Sequence, residues 1–275
     1  MKTIGFIGGG NMAESLIGGL IASGQEATSI SVYDTDQSRL DQLSNNYAVR
    51  YQDSNQQLAD SCDLLVMAVK PQVLKSIAAS IRKQVQANRP LVISIAAGIR
   101  STSLEHWLGG EVPIVRVMPN TPALVGAGAS GMFANHLVDE QMRDAAESLM
   151  RSVGLTVWLE NESQIDIVTA LSGSGPAYIF RVIEAMEEAA THAGLAEETS
   201  RLLAIETALG AARLAVEASD SPAQLRAKVT SPGGTTEQAL KQLEQGNIGK
   251  LFDDAIKAAI QRAAEMAEEF NDGED

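Results

Sequence analysis

Two glycine-bearing stretches carry residue types that could do chemistry. Near the C-terminal end, Val229-Thr230-Ser231-Pro232-Gly233-Gly234-Thr235-Thr236 sets tandem glycines among hydroxyls. Tandem glycines let the backbone fold back and present bare N–H groups, and the hydroxyls beside them can hydrogen-bond a small polar ligand. The flanks Leu225 to Val229 and Glu237 to Leu243 read as helical, so Thr235 and Thr236 stand where the second helix begins. A helix start with free amides favours a carboxylate. The same composition also suits plain helix caps at Ser231 and Thr235 around a sharp turn, and the stretch alone does not separate the two readings.

At the other end, Gly8-Gly9-Gly10-Asn11-Met12-Ala13 follows the β-rich run Lys2 to Ile7 and precedes Leu16, Ile17 and Leu20 at helical spacing. In a strand, turn, helix context the pattern G-x-G-x-x-G/A describes a dinucleotide site. Gly8 serves the tight turn, Gly10 the close approach of the pyrophosphate, and Ala13 the packing of helix on strand. A second strand, Ser29 to Tyr33, closes on Asp34. A carboxylate there accepts from the adenosine ribose hydroxyls and repels a 2′-phosphate, which points to NADH. Thr35, Ser38 and Arg39 could instead hold a 2′-phosphate if Asp34 turns aside, so NADPH and NADH both stay open.

The elements that must position these groups alternate. Helices are expected from Gln37 to Asn45, Asn55 to Ala59, Val73 to Val85, Ser103 to Leu108 and Glu140 to Ser152. Between them lie a short strand around Val49 and strands at Asp63 to Val69, Leu91 to Ile95 and Pro113 to Met118, with late strands at Ala129 to Phe133 and Thr156 to Leu159. The mostly apolar run Asp63 to Val69 has the pattern of a strand buried on both faces of a parallel sheet. Ligands of doubly wound sheets bind beyond the carboxyl ends of strands, which places Lys70-Pro71-Gln72, Ala96-Ala97-Gly98 and Pro119-Asn120-Thr121-Pro122 on the ligand side. Lys70 precedes a proline and is held extended, so its backbone rather than its ammonium is the expected contact.

From Ser163 the texture becomes helical throughout, with Ile179, Val182, Ile183 and Met186, then Leu202, Ile205, Leu209 and Ala212, at helical spacing. Alanine-rich faces with few aromatics bury little area within one small domain, and interlocked dimerisation is the expected remedy. The fold class is therefore an α/β Rossmann-like N-terminal domain, residues 1–162, with an all-α C-terminal dimerisation domain, residues 163–275.

Composition narrows the partners. The 275 residues carry a formal net charge of −14. An acidic surface argues against nucleic acid or anionic membrane as partner. The apolar stretch Ile4 to Ile7 is too short for a signal segment and no later run reaches spanning length, so a cytoplasmic address is expected. Cys62 is the single cysteine, with neither a disulfide partner nor metal-ligand spacing, and it reads as a small residue near a strand start. His106, His136 and His192 all suit surface or helix-end positions, and no metal site or Ser-His-Asp arrangement can be argued. Reduction of a protonated imine needs none of these, because it requires chiefly that the electrophilic carbon be held about 3–3.5 Å from a hydride donor in a dry pocket.

Taken together, Gly5-Phe6-Ile7-Gly8-Gly9-Gly10-Asn11-Met12-Ala13, Ala68-Val69-Lys70-Pro71-Gln72, Ser94-Ile95-Ala96-Ala97-Gly98, Met118-Pro119-Asn120-Thr121-Pro122, Leu171-Ser172-Gly173-Ser174-Gly175-Pro176-Ala177-Tyr178 and Thr230-Ser231-Pro232-Gly233-Gly234-Thr235-Thr236 resemble pyrroline-5-carboxylate reductase, essentially end to end. The last of these motifs is the most specific. The resemblance implies reduction of 1-pyrroline-5-carboxylate to L-proline by NAD(P)H, the last step of proline biosynthesis. It implies that the turn bearing Ser231, Gly233, Gly234, Thr235 and Thr236 grips the substrate carboxylate through backbone amides, and that the Thr236 hydroxyl meets the ring nitrogen. Cofactor contacts would fall on Ile7, Gly8, Gly9, Gly10, Asn11, Met12, Asp34, Asn55, Ala68, Val69, Lys70, Pro71, Ala96, Ala97 and Gly98. Family members form homodimers through their C-terminal helices, each active site drawing its substrate loop from the shared helical region, and some assemble five dimers into a decamer. Many have a small or basic residue where this chain has Asp34.

Two rivals are set aside on the residues. A β-hydroxyacid dehydrogenase would need a lysine where this chain has Ile179 and an asparagine where it has Ile183. A non-catalytic dinucleotide sensor would have no use for the Ser231 to Thr236 turn.

Overall fold

Short apolar runs build the sheet. The computed structural model describes residues 2–271. In chain order it forms β1 (Ile4–Ile7), α1 (Asn11–Ala22), β2 (Ile30–Tyr33), α2 (Gln37–Tyr47), β3 (Arg50–Tyr51), α3 (Asn55–Asp60), β4 (Leu64–Met67) and α4 (Pro71–Asn88). Then follow β5 (Leu91–Ser94), α5 (Ser101–Trp107), β6 (Ile114–Met118), β7 (Gly128–Ala134), α6 (Glu140–Arg151) and β8 (Gly154–Trp158). Every expected strand is present, the one anticipated around Val49 being formed at Arg50–Tyr51.

The strands order as β3-β2-β1-β4-β5-β6-β7-β8. All neighbours are parallel except β6 and β7. The exception follows from the connection, because residues 119–127 hold only the 3-10 turn Thr121–Val125 and cannot cross over the sheet. Alternation along each strand sends side chains to two cores. Phe6, Val66 and Ile93 meet Leu16 and Ile17 of α1, Leu43 of α2 and Leu149 of α6, while Ile7, Leu65 and Met67 meet Leu58 of α3, Leu74 and Ile81 of α4 and Trp107 of α5. Helices on both faces of a parallel sheet make the unit doubly wound.

β1 and β4 are also pinned at their starts. The Asp63 carboxylate accepts from the Thr3 amide and the Thr3 hydroxyl, both at 2.8 Å. The Thr3 amide bond holds the Asp63 carboxyl below its usual range. Asp63→Asn is expected to lower stability by about 1 kcal/mol at neutral pH. A depressed folded-state pKa stabilises above the unfolded value and is lost as pH falls through the folded one, so the two proteins should converge in acid when their denaturant midpoints are compared. Next to it, Cys62 is buried and burial pushes its thiol up to about 12.

The chain divides into two compact units. One gathers the residues up to Ser174 with those from Ala258 onward, and the other is Gly175–Lys257. This division departs from the expected boundary at Ser163. Residues just beyond Ser163 form α7 (Gln164–Val168) and a π-helical stretch, Thr169–Gly173. A partly buried charge cluster binds this segment to the sheet. Arg116 of β6, 3% exposed, lies 3.0 Å from Glu162 and 3.8 Å from Asp166. Glu162 also accepts from the Ser101 amide and hydroxyl, both at 2.6 Å. Burial raises the Asp166 carboxyl above the usual range, with the Arg116 charge opposing. An unpaired arginine inside a strand would be far costlier than this arrangement.

The second unit is helical: α8 (Gly175–His192), α9 (Glu197–Glu217), α10 (Pro222–Lys228), α11 (Thr235–Gln245) and the first part of α12 (Ile248–Asn271). Much of its apolar surface stands uncovered, including Ile179 and Phe180 on α8 and Leu202 and Leu203 on α9, with Phe180 65% exposed. Apolar faces of this extent mark association surfaces. Among the described residues no helix is long and apolar enough to cross a membrane.

Candidate functional site

The glycine turn follows directly from β1. Gly8 adopts φ +97°, and a Cβ there would lie 2.5 Å from the Ala68 carbonyl oxygen, so only glycine fits. Gly10, by contrast, has φ −66° and precedes α1 without a capping side chain. Among the described residues nothing lies within 4 Å of a Cβ built on it, so the space in front of the first amides of α1 is open. Open amides at a helix start suit a pyrophosphate. Ala13 is buried against the sheet, as its packing role requires.

Gly9 is held from two sides. Its amide donates to Asp34 Oδ2 at 2.7 Å, and its carbonyl accepts from Arg39 Nε at 2.7 Å. Asp34 Oδ1 also accepts from the Asp36 amide at 2.9 Å, which anchors the carboxylate at the turn. A cavity of about 390 Å³ opens beside it, lined in part by Asp34, Thr35, Gln37 and Asp53.

The other strand ends complete the crevice. Lys70 is extended, with φ −63° and ψ 143°, and exposed at the N-cap of α4, as its proline neighbour dictates. Ala68, Val69 and Pro71 beside it are partly buried. Asn55, at the start of α3, has its Oδ1 buried with no partner among the described residues. Ile7 and Ala96 point their side chains into the core, which leaves backbone as what they can offer a ligand. Past the partly buried Ala97, Gly98 has φ +76°, and a Cβ there would meet Phe270 at 3.0 Å. That α12 contact was not legible in the sequence. A groove a Cβ would fill, open helix-start amides and an orphaned buried acceptor all fit a dinucleotide.

Beyond β6, Asn120 donates through Nδ2 to the Ser172 carbonyl at 3.0 Å and accepts from the Ala129 amide at 2.9 Å. It thereby fixes the Pro119–Pro122 loop to the π-helical stretch, a kind of irregularity that concentrates at functional sites. Two of the resembling motifs thus meet through one side chain.

In the second unit the predicted turn is formed. Gly233 has φ +75°, and Gly234 is the N-cap of α11 with no side chain to offer. Two of the expected amides prove to be engaged already. The Gly233 amide donates to Glu237 Oε2 at 2.8 Å and the Gly234 amide to the Ser231 carbonyl at 3.0 Å. These bonds set the shape of the turn, so a substrate carboxylate reaching the Gly233 amide must take the place of Glu237 Oε2. The amides of Thr235 and Thr236, in the first turn of α11, have no intrahelical acceptor. Thr236 is half-buried, and Ser231 and Thr235 are exposed. His106, His136 and His192 are exposed at the end of α5, after β7 and at the end of α8, in keeping with surface roles.

Comparison with known proteins places this geometry. A family model described as pyrroline-5-carboxylate reductase dimerisation matches residues 162–266, and one described as NADP oxidoreductase, coenzyme F420-dependent, matches residues 3–98. The dimerisation match makes this a self-associating chain. The pyrroline-5-carboxylate reductase of Pseudomonas aeruginosa is 45% identical over 267 residues, 97% of either chain. That of Pasteurella multocida is 40% identical over 273 residues, 98% of this chain and 99% of its own. Among solved structures, a pyrroline-5-carboxylate reductase from Coxiella burnetii superposes with a TM-score of 0.94 at 48% identity, covering 97% of this chain and 98% of that one. The Plasmodium falciparum pyrroline carboxylate reductase with NADP bound gives 0.85 at 31% identity, again over 97% and 98%. By likeness that is both close and nearly full-length, the chain belongs to the pyrroline-5-carboxylate reductase family.

Proposed function

We propose that this protein reduces 1-pyrroline-5-carboxylate to L-proline with NAD(P)H, the closing step of proline biosynthesis. The observation that carries the reading is the 45% identity to a pyrroline-5-carboxylate reductase across 97% of both chains. When bound, the reduced nicotinamide supplies the hydride taken by the C=N carbon. The chain's own residues bind and orient. Gly8 to Met12 receive the pyrophosphate on the α1 amides, Asp34 faces the ribose, Asn55 takes a donor of the bound nucleotide, and the strand ends Ala68 to Pro71 and Ala96 to Gly98 line the crevice. The turn bearing Gly233, Gly234, Thr235 and Thr236 holds the substrate carboxylate through backbone amides, the Ser231 hydroxyl flanks it, and the Thr236 hydroxyl hydrogen-bonds the ring nitrogen.

Residues 1–162 are read as the dinucleotide-binding part and 163–275 as the dimerisation and substrate-binding part, working as a cytoplasmic homodimer. The exposed apolar faces of α8 and α9 support that association, and five-dimer assembly is a further step open to it. The direct test follows loss of reduced-nicotinamide absorbance on addition of pyrroline-5-carboxylate and identifies the product. Absence of oxidation with both cofactors would overturn the reading.

Glu237 supplies a finer test. Its carboxylate sits on the Gly233 amide beside the proposed carboxylate site. Glu237→Gln keeps an acceptor for that amide and removes the competing charge. KM for the imine acid is expected to fall about two- to fivefold, the scale of a charge at a helix terminus, with kcat little changed. A raised KM in steady-state assays would show that the charge is needed.

A further inference from the structure

Arg39 is the cation nearest the Asp34 end of the glycine turn in the hydrogen-bond pattern, and all its nitrogens are engaged. Nε donates to the Gly9 carbonyl at 2.7 Å, Nη1 to Gln42 Oε1 at 2.9 Å, and Nη2 to Glu14 Oε2 at 2.7 Å and Asn11 Oδ1 at 3.3 Å. The Glu14 pair is well sheltered, with side chains 20% and 19% exposed. Arg39 and Asp34 flank the same residue: a Cβ built on Gly9 would lie 3.5 Å from Arg39 Cγ and 3.6 Å from Asp34 Oδ2. Asp34 thus holds Gly9 by its amide and the Arg39 guanidinium holds it by its carbonyl. The Ser38 hydroxyl is similarly committed, donating to Asp36 at 2.6 Å.

We infer that Glu14 is a cofactor-specificity residue: by holding the Arg39 guanidinium against α1 it withholds a sheltered cation that could bind a 2′-phosphate, and so favours NADH over NADPH. The inference rests on the reading of the Gly8 to Met12 turn as the dinucleotide site. Its logic is competitive. A phosphate reaching Arg39 must displace a carboxylate already at 2.7 Å, and it does so in the field of Asp34 and Asp53.

The test is the pair of dissociation constants for NADPH and NADH, measured by calorimetric titration on the intact protein and on Glu14→Gln, Glu14→Ala, Arg39→Met and the Glu14→Ala/Arg39→Met double variant. Glu14→Ala is expected to tighten NADPH about five- to tenfold while NADH changes about twofold or less, the scale of one charge-assisted hydrogen bond. Glutamine can still accept from Arg39, so Glu14→Gln should give the smaller gain. In the Arg39→Met background the gain should vanish. A gain that persists there would mean that Glu14 acts only through its general negative field, overturning the inference. So would an unchanged NADPH/NADH ratio in both single Glu14 variants. If no variant, nor the unaltered chain, bound either nucleotide, the reading of the turn itself would fall.

Discussion

Gly10→Ala is expected to weaken reduced-dinucleotide binding by at least about tenfold while leaving thermal stability unchanged. The two effects separate because of where the added methyl goes. Gly10 already has φ −66°, which alanine adopts freely, and its Cβ would meet nothing within 4 Å among the described residues. The methyl instead occupies the open space before the α1 amides, where the pyrophosphate must come close. Gly8→Ala is the contrasting case. There φ is +97° and the Cβ would sit 2.5 Å from the Ala68 carbonyl, so the fold itself is strained. A residue forced into that region costs about 1–3 kcal/mol, and Tm should drop along with affinity. Titration and thermal melts on both variants make the check. Equal affinity in Gly10→Ala and the parent would remove the glycine turn from cofactor binding.

Thr236→Ala is expected to lower kcat/KM by about tenfold or more, the scale of one lost hydrogen bond to a charged group. Thr236 is half-buried in the first turn of α11, and its replacement by alanine favours a helix, so the loss should not come from unfolding. Thr236→Ser keeps the hydroxyl and should recover most of the rate. Steady-state kinetics of the two variants decide it. Parent-like values for the alanine form would take Thr236 out of the reaction.

Much of this was legible in the residues, and what was not has physical reasons. Leu64–Met67 and Leu91–Ser94 announced themselves because a strand buried on both faces needs an unbroken apolar run. The Gly8 turn was readable because its backbone geometry tolerates one residue type. The compact units part at Ser174 rather than at Ser163 because helical periodicity after Ser163 says nothing about which body a helix packs against. A signal was present in Arg116, a charge set among Ile114, Val115, Val117 and Met118, since such a residue demands an acid partner. That partner is Glu162, 46 residues away. Pairings at such separations, like Arg39 with Glu14, leave no trace in spacing. The engaged Gly233 amide escaped because Glu237 in the first turn of a helix reads equally as a solvated charge.

The sealed sulfhydryl of Cys62 has a use beyond packing. With its ionisation pushed to about 12 and its side chain buried, it is expected to react slowly with alkylating reagents and peroxide while the fold is closed. As the chain's single cysteine, it makes any labelling a clock for transient opening of the seam under the first strand. Ordinary iodoacetamide kinetics would thus read local breathing in this protein without any engineered probe.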